Sequence, residues 1–332
     1  MSRLLERCGW TTETYAPSPF IFNGFGHTQR TIQASLSSHT EYFEREILTA
    51  PNGSTLGIDW YDHPEDMAKK YHGLIVILNH GCTQRLSKSI IRHIIRGSQK
   101  EGVGCCVINM QGVNDVPSTT TSMGTSLSLI VELKAITERL NQHLGSHFPK
   151  SIVAFSIAGI PLIDYLSQDK GNYTSTSLVS TPLALKNFCM GDNVTSDACV
   201  ADVHDLIKAN SDILTSWNLD VTSKVAKATT LAEFYDGIGS VSGSTAASVL
   251  HSLEPYSRIS QIAKPIILFY ALDDESIQFT RDVDLIRLCK NPNVAVCVTE
   301  HGGHCGFHTL SEPNWIGSAV LEYLSASMRP EF

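Results

Sequence analysis

Ser156 is a candidate nucleophile. It follows a run of strand-forming residues, 151–155, and precedes a helix-like stretch. Strand, sharp turn and helix in this order form a nucleophile elbow, which lifts the serine hydroxyl to the edge of a sheet. The two backbones nearly collide across such a turn, so small residues are needed on both sides of the serine. Ala154 and Ala158 stand where glycine is usual. The motif is therefore degenerate, and a buried strand followed by a small-residue turn also explains it.

A base and an acid for this serine come later in the chain. Two adjacent aspartates, Asp273 and Asp274, and then a histidine, His304, each follow a predicted strand, and Cys82 follows an earlier one. Ligands in open α/β sheets bind beyond the carboxyl ends of the strands. The chain order of nucleophile, acid and histidine is the order found in α/β-hydrolases. We therefore expect these residues to meet Ser156 at one edge of a sheet.

These residue types divide the work of acyl transfer among them. A serine hydroxyl is a weak nucleophile at neutral pH, so His304 would take its proton and later deliver it to the leaving group. Asp274 would hold the imidazole tautomer and stabilise the imidazolium. We prefer Asp274 as the acid because of its place just before a loop residue and an apolar pair, and Asp273 is the alternative acid. The backbone N–H groups of Cys82 and Ile157 would form the oxyanion hole.

The histidine-rich segment also permits a different chemistry. His301, His304 and His308 have spacings of three and four residues, which are typical of metal ligands. No carboxylate or cysteine set completes such a site, so we expect no metal and interpret His301 as a structural loop residue.

Composition limits the classes of protein to which the chain can belong. The 332 residues are 42% hydrophobic and 17% charged, which describes a globular protein, and the net charge of −8 disfavours nucleic acid and anionic membrane surfaces as partners. The nine cysteines are scattered and odd in number, which fits a reducing compartment better than a disulfide framework. We find neither a signal peptide nor an apolar run long enough for a membrane span. The sequence therefore predicts a cytoplasmic protein.

The order of apolar patterns predicts the fold. Asn52-Gly53 lies between two alternating segments and predicts an antiparallel hairpin over 43–60, because both residues tolerate positive φ. Continuous apolar runs predict strands that are buried on both faces, and apolar residues at helical spacing predict helices. The predicted strands after the hairpin are 73–78, 104–109, 151–155, 177–180, 265–271 and 293–299, and the predicted helices include 89–96, 127–144 and 315–324.

This alternation indicates an α/β protein with a mostly parallel central sheet and helices on both faces. Residues 1–40 show no strong period, and residues 183–260 show helical patterns without a strong strand, as an inserted helical cap would. We therefore predict a core formed by residues 1–182 and 261–332, interrupted by a cap at 183–260.

Several segments resemble the YheT-like family of α/β-hydrolases, which includes bacterial esterases, animal phospholipases and yeast medium-chain alcohol acyltransferases. The resemblance covers nearly the whole chain, and its most specific part is Thr-Glu-His-Gly-Gly-His-Cys-Gly-Phe at 299–307. The other similar segments are the N-terminal motif at 26–32, the hairpin at 43–60, the Asn-His-Gly at 79–81, the cap signature at 229–236 and the acid segment at 271–274.

The resemblance implies the α/β-hydrolase fold, a Ser156–Asp274–His304 triad and acyl-ester substrates. The chain departs from the family pattern at the two alanines beside the serine, at Gln111, where arginine is usual, and at Tyr235, where an acidic residue is usual. These departures bear on substrate choice and oxyanion geometry, and they leave all three triad residues in place. We expect no membrane anchor of the kind that the animal members carry.

The function that we expect is the cleavage of carboxylic esters by a serine hydrolase, through an acyl-enzyme intermediate and without a cofactor. An acyltransferase to an alcohol, or a specialised ester, thioester or lactone hydrolase, would use the same triad, and the sequence does not separate these activities. A non-catalytic small-molecule binding protein that keeps the fold is the alternative from another class. The expected partner is a small ester with an apolar acyl chain, and the oligomeric state is open.

Overall fold

The computed structural model describes residues 1–8, 15–19, 21, 23–36, 42–119, 126–168, 172–184, 188, 194–211, 219–242, 255–310 and 314–329. Across these residues, one eight-stranded sheet is covered by helices on both faces. The predicted fold class, a mostly parallel α/β sheet between helical layers, is confirmed.

The sheet is parallel except at one side. Its strands are β1 (Glu44–Thr49), β2 (Thr55–Trp60), β3 (Leu74–Asn79), β4 (Gly104–Met110), β5 (Lys150–Phe155), β6 (Thr176–Val179), β7 (Ile266–Ala271) and β8 (Val294–Thr299). Their order across the sheet is β1-β2-β4-β3-β5-β6-β7-β8. β2 pairs antiparallel with both β1 and β4, and every other neighbouring pair is parallel. The carboxyl ends of β3, β5, β6, β7 and β8 therefore lie along one edge.

The hairpin at the start of the sheet has the predicted turn. Thr49 pairs with Thr55, and Gly53 between them has a φ of 85°. The side-chain oxygen of Asn52 accepts a hydrogen bond from the backbone N–H of Ser54 at 3.2 Å, which supports the turn locally. The antiparallel hairpin that the Asn-Gly signal predicted is therefore present.

Helices flank the sheet and fill the connections between strands. They are α1 (Ser2–Arg7), α2 (Gly24–Leu36), α3 (Pro64–Lys70), α4 (Gln84–Ser98), α5 (Ile130–Leu144), α6 (Gly159–Gln168), α7 (Val194–Ala209), α8 (Leu219–Lys227), α9 (Leu231–Ser242), α10 (Pro255–Ile259), α11 (Phe279–Asp282), α12 (Leu285–Leu288) and α13 (Trp315–Met328). The three predicted helices correspond to α4, α5 and α13.

Alternating residues of β3 divide the hydrophobic core into two layers. Val76 and Leu78 belong to the layer that also contains the apolar face of α5. Ile75 and Ile77 point to the opposite face and pack in the layer formed with α4 and α13. Because both faces of the strand are covered, its sequence is a continuous apolar run.

The helix α2 was missed by the pattern analysis of residues 1–40. Its buried face consists mainly of small polar side chains, among them Thr28, Thr31 and Ser35, and therefore lacks an apolar period. Ser35 joins α2 to α4, because its hydroxyl oxygen accepts a hydrogen bond from the backbone N–H of Ser89 at 3.1 Å. Hydrogen bonding, rather than an apolar stripe, attaches this helix to the core.

The segment between β6 and β7 contains α7, α8, α9 and α10. This agrees with the helical patterns in residues 183–260, and the division into a core of 1–182 and 261–332 with a cap at 183–260 stays a prediction. No helix in the described part of the chain is both long enough and apolar enough to cross a membrane.

Candidate active site

Ser156 follows β5 directly and has a φ of 51°. A serine in the left-handed region is uncommon, and a strained turn of this kind is typical of a nucleophile elbow. The residues Ser156–Ala158 form a single 3-10 turn that leads into α6. The predicted strand, turn and helix are thus all present, and the serine is fully buried at their junction.

A tight contact with a neighbouring side chain lies at Gly159, one residue beyond the position where the elbow motif usually has glycine. A Cβ atom on Gly159 would lie 2.1 Å from the Oγ1 atom of Thr181, which follows β6. The structure accommodates the methyl groups of Ala154 and Ala158, both of which are fully buried. A side chain at position 159 would therefore need the side chain of Thr181 to move.

Three buried side chains form a continuous hydrogen-bonded chain at this edge of the sheet. The Oγ atom of Ser156 lies 2.7 Å from Nε2 of His304. On the other side of the ring, Nδ1 of His304 lies 2.9 Å from Oδ2 and 3.1 Å from Oδ1 of Asp274. The imidazole thus contacts the hydroxyl through one nitrogen and the carboxylate through the other. Such a chain can move a proton away from the serine.

The two adjacent aspartates have different partners. Oδ1 of Asp274 accepts hydrogen bonds from the backbone N–H groups of Ser276 and Ile277 at 2.8 and 3.0 Å, which fix the carboxyl group that faces the ring of His304. Asp273 instead lies against the neighbouring loop, where its Oδ1 accepts the N–H of Gly303 at 2.9 Å. The structure therefore brings Asp274, and not Asp273, to the imidazole of His304.

The three histidines proposed as alternative metal ligands face separate partners. Nδ1 of His301 lies 3.1 Å from Oδ2 of Asp273, while Nε2 of His308 lies 2.9 Å from Oγ1 of Thr31. His304 is occupied by the serine and the aspartate. Among the described residues, no group of three or more histidines, cysteines, aspartates and glutamates could hold a metal ion. This geometry does not favour the metal-hydrolase alternative.

The oxyanion-hole candidate Cys82 lies in the turn after β3, beside His80. The backbone N–H of Cys82 donates to Nδ1 of His80 at 3.3 Å, and Nε2 of His80 faces the carbonyl oxygen of Ser126 at 3.1 Å. Burial lowers the pKa of His80 to about 4, so the ring is neutral at physiological pH and Nδ1 can accept. Ile157 lies in the first turn after the serine, where a helical N–H has no intrahelical partner.

Two side chains that sequence reasoning missed bind the backbone of the histidine loop, which is the loop after β8 that contains His304. Oγ1 of Thr28 in α2 accepts the backbone N–H of His304 at 2.7 Å. Oγ of Ser180, at the end of β6, accepts the N–H of Cys305 at 3.1 Å. Only the resemblance of segment 26–32 to a family motif pointed toward Thr28, because an isolated threonine in a polar segment carries no signal of its own.

The segment between β6 and β7 contributes an aromatic and a polar group to the surroundings of the site. The ring of Phe188 lies 5.7 Å from that of His304, measured between centroids. The hydroxyl of Tyr235 in α9 lies 4.0 Å from Sγ of Cys82. Residues from 183–260 therefore lie close both to His304, the proposed base, and to Cys82, a proposed oxyanion-hole residue.

Comparison with known proteins finds relatives that match most of the chain. No protein-family model matches the chain. The human phospholipase ABHD3 is 24% identical over an alignment of 331 residues that covers 92% of this chain and 76% of that protein. The "Putative esterase YheT" of Escherichia coli is 24% identical over an alignment of 304 residues that covers 86% of this chain and 85% of that protein. Over most of its length, the chain is similar in sequence to members of the YheT-like α/β-hydrolases.

The fold of the chain is found in solved structures as well. The esterase Pf2001 of Pyrococcus furiosus superimposes with a TM-score of 0.55 at 14% sequence identity, over 96% of this chain and 99% of that one. At this identity the likeness concerns the fold alone, and it confirms the α/β-hydrolase architecture.

Proposed function

We propose that the chain is a serine hydrolase that cleaves carboxylic esters through an acyl-enzyme intermediate on Ser156. The observation that carries this proposal is the chain of short contacts from Ser156 through His304 to Asp274. Its relatives are named as an esterase and a phospholipase, and ester hydrolysis in general is their shared chemistry. The triad and the covalent intermediate are our inference from the geometry.

His304 acts as the general base in the first half of the reaction. It removes the proton from the Ser156 hydroxyl as the oxygen attacks the carbonyl carbon of the ester, and it then protonates the departing alcohol. The carboxylate of Asp274 stabilises the imidazolium that forms between these steps. A water molecule, activated by the same imidazole, then hydrolyses the acyl-enzyme.

The backbone N–H groups of Cys82 and Ile157 would stabilise the negative oxygen of the tetrahedral intermediate. The N–H of Cys82 bonds to His80 at 3.3 Å, which is long for a hydrogen bond between nitrogen atoms. A charge-assisted bond to an oxyanion is stronger, so the developing charge can draw this donor away from the imidazole. Neutral His80 thereby holds the turn in place until the charge appears.

The acyl group would lie against the apolar side of the cap. Phe188 presents an aromatic ring beside His304, and the side chains of Leu183 and Phe234 are buried in the same hydrophobic layer. An apolar wall favours an acyl chain over a charged substrate. Whether water or an alcohol completes the cycle depends on the access of each to the acyl-enzyme.

Covalent labelling tests the proposal directly. A fluorophosphonate probe should modify the native protein at a single residue, Ser156, with the adduct located by mass spectrometry, and Ser156→Ala should abolish both labelling and ester turnover. Ser98→Ala is the matched control, because Ser98 is also a buried serine and its hydroxyl only donates to the carbonyl of Ile95. This variant should be labelled like the wild type.

A folded wild type that is not labelled would overturn the serine-hydrolase proposal and favour the binding protein. If labelling succeeds, assays of short- and long-chain acyl esters, with and without an added alcohol, distinguish hydrolysis from acyl transfer. The proposal of hydrolysis requires free acid to be the main product in both conditions.

A further inference from the structure

Glu275, the residue after the proposed acid, connects two helices beside the active site. Its Oε2 atom lies 3.1 Å from Oγ1 of Thr28 in α2, and its Oε1 atom accepts a hydrogen bond from Oγ1 of Thr195 in α7 at 3.0 Å. Both threonines are fully buried, and Glu275 is largely buried between them. No step of the proposed mechanism uses this carboxyl group.

The contact with Thr28 leads to the proposed base. Oγ1 of Thr28 accepts the backbone N–H of His304 at 2.7 Å, and it also lies 3.1 Å from the carbonyl oxygen of Gly24. A continuous path of hydrogen bonds therefore runs from α7 through Glu275 and Thr28 to the backbone of His304. The His304 ring in turn lies 2.7 Å from Oγ of Ser156.

The number of hydrogen atoms available along this path indicates whether the ionised or the protonated form of Glu275 fits the hydrogen bonds better. Thr28 has one hydroxyl hydrogen, and it accepts the N–H of His304, so it can donate either to Gly24 or to Glu275. A protonated Glu275 donates to Thr28, which leaves the threonine hydrogen for the carbonyl of Gly24 and satisfies every group. Burial and, next, the charge of Asp274 raise the pKa of Glu275, which favours this protonated form.

We propose that Glu275 is a positioning residue for the triad, which holds the backbone of His304 in place through Thr28 while Thr195 anchors its other oxygen. This inference rests on the proposed function, because it gives His304 the role of the base. Without Glu275, the Thr28 hydroxyl can rotate away from the backbone N–H of His304. The imidazole would then be held less closely at hydrogen-bond distance from Ser156.

Substitutions that change one hydrogen bond at a time test the proposal. Glu275→Gln keeps the protonated pattern, because an amide N–H can donate to Thr28 while the amide oxygen accepts from Thr195. This variant should retain kcat/KM within about threefold of the wild type, whereas Glu275→Ala should lose roughly 10- to 100-fold, as small displacements of catalytic groups do. The loss should lie in kcat, with KM changed much less.

The other end of the contact provides an independent variant. Thr28→Val has nearly the same volume but no hydroxyl, so it should lower kcat to a similar extent, and Thr28→Ser should restore it. Glu65→Ala, at an exposed position in α3, is the control for removal of a carboxyl group and should match the wild type. Each variant is assayed with a p-nitrophenyl ester and by its rate of fluorophosphonate labelling, and its Tm is recorded.

The inference is wrong if Glu275→Ala and Thr28→Val keep wild-type kcat, or if both variants lower only Tm. It is also wrong if Glu275→Gln loses as much activity as Glu275→Ala, since the amide preserves both hydrogen bonds. A labelled and active wild type with unaffected variants rejects this inference alone. A wild type that the probe does not label rejects the proposed function, and this inference with it.

Discussion

The imidazole of His304 is the group whose ionisation should control the reaction. It is fully buried, and burial by itself lowers the pKa of a histidine, but the charge and hydrogen bond of Asp274 outweigh this effect and raise the pKa of His304 above its ordinary value of 6.5. Only the neutral ring can accept the proton of Ser156. Activity is therefore lost as the pH falls through this raised pKa, and is complete above it.

The pH dependence of kcat/KM separates the two candidate acids. The wild type should show an acidic limb with an apparent pKa above 6.5. Asp274→Asn removes the charge that raises the pKa of His304, so the limb should move to lower pH while kcat falls by roughly 10³- to 10⁴-fold, as in other triads. Asp273→Asn should keep the limb in place and cost less than about tenfold. The reverse pattern would make Asp273 the triad acid.

The glycine beside the elbow gives a second prediction for a single residue. Gly159→Ala places a Cβ atom 2.1 Å from Oγ1 of Thr181, so either the turn or the Thr181 side chain must move. We expect lower stability and a loss of phosphonate labelling, measured by Tm and by the labelling rate. Thr181→Ala, combined with Gly159→Ala, removes the two nearest atoms and should restore part of both. Ala158→Gly should be tolerated. A Gly159→Ala variant that keeps the wild-type Tm and labelling rate would contradict the expectation that position 159 has no room for a side chain.

At the scale of elements, α7 is attached to the core through the first turn of α4. The side chain of Arg85 donates to Asp202 at 2.8 Å and to Asp205 at 2.7 Å, and its backbone N–H donates to Asp202 at 3.0 Å. The side chain of Asp202 is 4% exposed, whereas that of Asp205 is 66% exposed. The ion pair to Asp202 is therefore the one that affects stability strongly, because a buried carboxylate depends on its partner.

Removal of this arginine tests how firmly the two helices are joined. Arg85→Ala leaves Asp202 buried without a cation and should lower the free energy of unfolding by about 3–5 kcal/mol, whereas Asp205→Ala should cost less than about 1 kcal/mol. Burial raises the pKa of Asp202 to about 7 despite Arg85, and loss of the arginine would raise it further. The effect should therefore be larger at pH 8 than at pH 6, as urea unfolding would reveal. Equal losses in the two variants would contradict this.

The elements that the sequence predicted are those with a strong apolar signature. The strands β3 to β8, the hairpin and the helices α4, α5 and α13 follow from runs or periods of apolar residues, as does their parallel arrangement. The helix α2 does not, because its contacts are made by hydroxyl groups and glycine. Ser156, Asp274 and His304 could be chosen from their places at strand ends, but Thr28 and Glu275 act through contacts between distant segments that have no local pattern.

At the scale of the whole molecule, the sheet brings together segments that are far apart in the sequence. Both faces of β3 and β5 are covered, and the edge where their carboxyl ends lie brings together residues from α2 and from the segments that follow β5, β7 and β8. The sequence predicted this edge because parallel strands must end together. Which side chains complete it depends on the packing of loops, and alternation of strands and helices does not determine that packing.

The span of the Thr28–His304 contact also has a consequence for the order of events during synthesis. These two residues are 276 positions apart, and a chain leaves the ribosome from its N-terminus. A growing chain that has just passed Asp274, shortly after β7, already contains Ser156 and Asp274, but it has neither the imidazole of His304 nor the loop that α2 contacts. The serine hydroxyl should thus remain an unactivated alcohol until His304, the proposed base, has also been synthesised.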